Sequence, residues 1–180
     1  SWNGMMTVPR ELSIREEDGR ILQNPVRELE RYRGTPVCEE QVHVHEPVSF
    51  EGIRGRMADL QVEIEGRGFG TFTISVAADG RHHTDIIYDE EREILTFDRT
   101  CSGLRRDVVC VRSMPVPGRA GKVSLRILLD KYSVEIFANG GESVMTSLIT
   151  TPQEADSIRF SSDGGVQANI RMYPIRKEKQ

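Results

Sequence analysis

The chain has 180 residues, 37% hydrophobic and 29% charged, with a formal net charge of −4. That length suits one ordinary domain with some material to spare, and the composition is that of a soluble globular protein, neither disordered nor membrane-spanning. Scattered basic residues under a net negative charge exclude a nucleic-acid partner, and no apolar run approaches the ~20 residues that cross a bilayer.

In chain order, Thr7 to Ile14 and Arg20 to Gln23 predict a hairpin about Asp18-Gly19. Pro25 then opens a short helix through Val26, Leu29 and Tyr32, which carries Glu28, Glu30, Arg31 and Arg33 on its wet side and ends at Gly34-Thr35-Pro36. His43-Val44-His45-Glu46 follows as a polar edge strand.

From residue 58 the period is two. Leu60, Val62 and Ile64 share one face, Phe72, Ile74 and Val76 repeat it, and the two runs read as paired strands. Val123 to Leu129, Val134 with Ile136, Ile158 with Phe160, and Val166 to Met172 continue the pattern, and Tyr132 falls in register with Val134 as a core residue. Asp79-Gly80, Asn139-Gly140-Gly141 and Asp163-Gly164-Gly165 supply residues that tolerate positive φ in tight hairpins. Nine or ten such strands bury their inner faces most simply as an all-β, two-sheet antiparallel β-sandwich of jelly-roll or concanavalin-like form.

Cys38, Cys101 and Cys110 are an odd set without metal-ligand spacing, so they read as buried free thiols in a reducing compartment. His43 and His45 are the best metal candidates, because alternate strand residues point one way; His82 and His83, being adjacent, point apart and cannot join one site. No third ligand stands at a suitable spacing, so neither a metal nor any other cofactor is expected. Asp89, Glu90, Glu91 and Glu93 cluster on one turn, too local to face each other across a glycosidic bond. Trp2, Tyr32, Tyr88, Tyr132 and Tyr173 are the aromatics that might stack on a sugar ring, and Tyr173, opposite the face of Ile170 and Met172, is the carbohydrate-binding candidate. No nucleophile elbow, Walker loop, dinucleotide fingerprint or Cys-x-x-Cys occurs.

Three stretches carry a family resemblance. Trp2-Asn3-Gly4-Met5-Met6-Thr7-Val8-Pro9-Arg10-Glu11-Leu12 resembles the segment that closes the catalytic propeller of family 32 glycoside hydrolases. Tyr88-Asp89 with Leu95 and Asp98-Arg99-Thr100-Cys101-Ser102-Gly103 resembles a motif of the family's sandwich, with Thr100 where Ser is commoner. Asp130-Lys131-Tyr132-Ser133-Val134-Glu135-Ile136-Phe137-Ala138-Asn139-Gly140-Gly141-Glu142 is similar to the family's most recognisable strand and hairpin.

The resemblance implies that residues 1–24 are the end of a propeller, 25–36 a linker and 37–180 the C-terminal β-sandwich. The family's catalytic motifs belong to the propeller and have no counterpart here. Arg106-Asp107 is followed by Val108 rather than Pro, and Cys38-Glu39 reverses the order of the Glu-Cys motif, so no catalytic residue is carried over. The expected role is a non-catalytic module that stabilises the propeller of its parent chain, a fructose-releasing hydrolase of sucrose or fructans, with homodimerisation as a further possibility. The alternatives are a fructan-binding module and, more remotely, a cupin-like metalloprotein using His43 and His45. A bacterial cytoplasmic location is expected, and the opening Ser1-Trp2-Asn3 in place of Met adds the expectation of a piece cut from a longer chain.

Overall fold

The computed structural model describes residues 5–103 and 109–176. The first hairpin joins β1 (Arg10–Ile14) to β2 (Ile21–Pro25), with Ile14 opposite Ile21. The segment before it, from Thr7 to Pro9, lies outside the strand. The predicted helix forms as a 3-10 turn, Arg27–Tyr32. Trp2 and Arg106-Asp107 lie outside the described residues, as do Lys177 and Lys179.

Eleven further strands form the sandwich: β3 (Val37–Val44), β4 (Ala58–Glu65), β5 (Thr71–Ala78), β6 (Thr84–Asp89), β7 (Ile94–Asp98), β8 (Val111–Pro115), β9 (Lys122–Asp130), β10 (Ser133–Ala138), β11 (Ser143–Leu148), β12 (Ser157–Ser162) and β13 (Val166–Pro174). One sheet runs β11-β10-β9-β4-β13-β3 and the other β12-β5-β6-β7-β8, every pairing antiparallel. Strict alternation aligns the apolar residues across each ladder. Met172, Leu60, Ile127, Ile136 and Met145 form one inward row of the larger sheet. Phe160, Ile74, Ile86 and Phe97 form one row of the smaller. The two inner faces close on each other as a single apolar core.

Two expected pairings are corrected. β4 and β5 do not pair; they belong to different sheets, because Gly66, Gly68 and Gly70, all at positive φ, carry the chain across the end of the sandwich. Likewise Asp163-Gly164-Gly165 joins β12 to β13 in opposite sheets rather than closing a hairpin. Tyr132 is also misplaced by counting, since Asp130 pairs with Ser133 and leaves Lys131-Tyr132 as the turn, with Tyr132 half exposed.

The larger sheet has a third layer. All six residues of β10 are buried, although alternation predicts one wet face. The cover comes from the N-terminal hairpin and linker, which lie over Leu128, Glu135 and Phe137. Val8 N–H donates to Glu135 Oε1 at 2.7 Å, and the Arg10 guanidinium stands 5.4 Å from the Phe137 ring centroid. The other half of this outer face, around Gln61, Glu63, Asn169 and Arg171, is an uncovered polar trough.

Candidate functional site

The features that bear on function fall in three places: the seam between the N-terminal hairpin and the sheet, the rim carrying the histidines, and the turn between β6 and β7.

The seam is built from buried carboxylates that receive arginines from the hairpin and linker. Glu135, 3% exposed, accepts from Arg10 Nη2 at 3.1 Å. Glu142 takes Arg15, Arg20 at 3.1 Å and Arg119 at 2.5 Å. Asp59, fully buried, accepts from Arg33 Nη2 at 2.7 Å and Arg126 Nη2 at 2.8 Å. Arg33, expected on the wet side of the linker, is thereby drawn inward, because a buried carboxylate is costly without a partner. Burial pushes the Glu142 carboxyl up, but the hydrogen bonds from Arg119 and Arg15 outweigh it and hold it below its ordinary value. The backbone closes the same seam: Gln23 N–H donates to the Gly141 carbonyl at 3.0 Å, and Asn24 Nδ2 to the Gly140 carbonyl at 2.8 Å.

The hairpin leaves apolar side chains in solvent. Leu12 and Ile14 are each 69% exposed, Ile21 59% and Met6 95%. Leu12 and Ile14 occupy alternate positions of β1, and Ile21 faces Ile14 across the hairpin, so the three gather into one strip.

His43 lies on β3, at the sheet edge, with its ring over Gly165; a Cβ there would stand 2.8 Å from His43 Nε2. His45 follows the strand and places Nδ1 3.1 Å from the Ser162 carbonyl. His82 and His83 separate onto different carboxylates, Asp79 and Asp85. Among the described residues, no group of three or more His, Cys, Asp or Glu side chains is placed to hold a metal. Tyr173 is half-buried, and the Arg33 guanidinium covers its ring at 4.3 Å from the centroid. The thiols differ from expectation: Cys38 and Cys101 are exposed and Cys110 only partly buried, because Cys38 falls on the outer side of an edge strand and Cys101 on a turn.

The carboxylates after β6 do not face one another as a catalytic pair. Glu90 Oε2 accepts from Gly68 N–H at 3.0 Å and Glu93 Oε1 from Gly118 N–H at 2.9 Å, so each is tied to a different crossing loop. Sequence reasoning missed this, since both partners lie more than twenty residues away.

Two antiparallel sheets packed face to face, with an N-terminal hairpin held to one of them, define a β-sandwich domain. The chain belongs to glycosyl hydrolase family 32: residues 28–174 match the family's C-terminal domain, described as Glycosyl hydrolases family 32 C terminal. It is 28% identical to a levanase of Bacillus subtilis (strain 168), over 98% of this chain and 28% of that protein. It is 31% identical to a probable sucrose-6-phosphate hydrolase of Vibrio cholerae, over 96% of this chain and 28% of that protein. The fold matches an exo-inulinase from Aspergillus awamori with a TM-score of 0.79 at 21% identity, covering 95% of this chain and 36% of that one. Fructan 1-exohydrolase IIa from Cichorium intybus also matches at 0.79, with 17% identity and 96% and 41% coverage. The chain thus spans between about a quarter and two fifths of the length of these proteins.

Proposed function

We propose that this domain is the non-catalytic companion of a family 32 propeller, and that the strip of Leu12, Ile14 and Ile21 is the face it presents to that propeller. The observation that carries the reading is this exposed strip, near the turn of a hairpin that Arg10, Arg15 and Arg20 fasten to the sandwich by ion pairs. Single exposed apolar residues are ordinary; a gathered strip on a rigid element marks a surface meant to be covered. Matching relatives more than twice as long supports a catalytic partner in the same parent chain. The chemistry of that parent, release of fructose from sucrose or fructans, follows the names of the relatives. Exposed Cys38 and Cys101, outside any disulfide, fit a reducing bacterial cytoplasm.

The test is direct. Purified chain incubated with sucrose, sucrose 6-phosphate, inulin or levan should release no fructose above a heat-denatured control. Turnover on any of the four would place a catalytic pair in this domain and overturn the reading.

A further inference from the structure

At one end of the sandwich, the two crossing loops 66–70 and 116–121 meet the β6–β7 turn and enclose a cleft of about 380 Å³. That size lies within the ~300–1,000 Å³ usual for small-molecule pockets. Tyr88 forms part of its floor. The residue is 2% exposed, its ring rests on Phe69 at 6.3 Å between centroids, and its hydroxyl lies 3.6 Å from the position of a Cβ at Gly118, which also lines the cleft. Its ring is buried while its hydroxyl opens to the cleft, and no side-chain or backbone group among the described residues hydrogen-bonds it. Burial, with the charges of Glu93, Glu90 and Asp89, pushes its pKa up to about 12, so it stays a donor throughout the physiological range.

The lip holds complementary groups. Glu90 and Glu93 each commit one oxygen to a backbone N–H, which orients the side chain and leaves the other oxygen able to accept. Arg67, exposed on the facing loop with no carboxylate in ion-pair range among the described residues, supplies charged donors. Ile64 and Val123 give an apolar wall. Three carboxylates, Glu90, Glu91 and Glu93, face the one guanidinium of Arg67, so an anion is disfavoured, and a bare cation would leave the Tyr88 O–H and Arg67 unused. A ligand whose groups both donate and accept satisfies every partner, and neighbouring hydroxyls do this.

We propose that this cleft binds a neutral polyhydroxylated ligand, a single sugar residue or the end of a sugar chain, through Tyr88, Glu90, Glu93 and Arg67. The site lies on the sandwich itself and stands whether or not the strip on the hairpin meets a propeller.

Calorimetric titration of the 180-residue chain with fructose, glucose, glycerol, inulin and levan tests it, the free sugars and the polymers separating a monosaccharide site from a chain-end site. Saturable binding to at least one of these is expected, weakened about tenfold by Tyr88→Phe and by Arg67→Ala, each removing a hydrogen bond or charge worth that factor. Tyr173→Ala should leave it unchanged. Arg67 is exposed, so its variant keeps the test valid if Tyr88→Phe impairs folding. No saturable heat with any of the five, binding that survives Tyr88→Phe and Arg67→Ala but not Tyr173→Ala, or calcium binding at the cleft in place of sugar would each overturn the proposal. Fructose release by the chain would overturn only the non-catalytic reading.

Discussion

The backbone of Gln23 passes so close over Gly141 that a Cβ at position 141 would stand 2.2 Å from the Gln23 carbonyl oxygen, and Gly141 itself has φ of +94°. No side chain fits there without lifting the N-terminal hairpin from the sheet. Gly141→Ala is expected to cost about 3 kcal/mol, combining left-handed strain with loss of the seam. A matched pair of urea denaturation curves measures it, and a midpoint equal to that of the parent would contradict the close approach.

Glu142 makes the same seam sensitive to acid. Its folded pKa is lowered, so its contribution is fully present above the ordinary value of 4.5 and is lost as pH falls through the lower folded value. The melting temperature should therefore drop on acidification below about 4.5, and Glu142→Gln should make that drop shallower. Thermal melts of both proteins across this range decide the point.

Asp59 carries the linker. Asp59→Ala leaves Arg33 and Arg126 with only the half-exposed Glu30 carboxylate within reach of both, and is expected to destabilise by about 3 kcal/mol. Asp59→Asn, which keeps the shape and one acceptor, should cost less. Equal losses for the two would mean that packing, not charge, fixes the linker.

The strip on the hairpin should behave oppositely. Leu12→Ser with Ile14→Ser removes exposed apolar surface, so the stability change should stay within about 0.5 kcal/mol per site. If copies of the chain cover this strip in one another, light scattering across a concentration series will show association that the double variant abolishes. A parent that is monomeric at every concentration would exclude the dimer.

Much of the sandwich is legible in the sequence because period-two alternation fixes which face each residue takes. It does not fix which strand pairs with which: Leu60, Val62 and Ile64 and Phe72, Ile74 and Val76 alternate alike, yet three positive-φ glycines send them to opposite sheets. Tyr132 shows a second limit, since a two-residue turn rotates it out of the register that counting assigns. Glu135 and Phe137 show a third, because their cover arrives from residues more than a hundred positions earlier. The cleft was hidden for the same reason. Its one local sign is Tyr88, a hydroxyl placed between Phe72 and Leu95 in an inward row that runs from Ser162 to Met114.

The ion-paired seam bears on how such a domain can be transplanted. A cut placed at the linker, after residue 24, would strip Arg10, Arg15 and Arg20 from Glu135 and Glu142 and leave two carboxylates exposed to a surface shaped for a hairpin. Anyone grafting this sandwich onto another enzyme would need to carry residues 10–25 with it, so that the portable unit starts upstream of the linker.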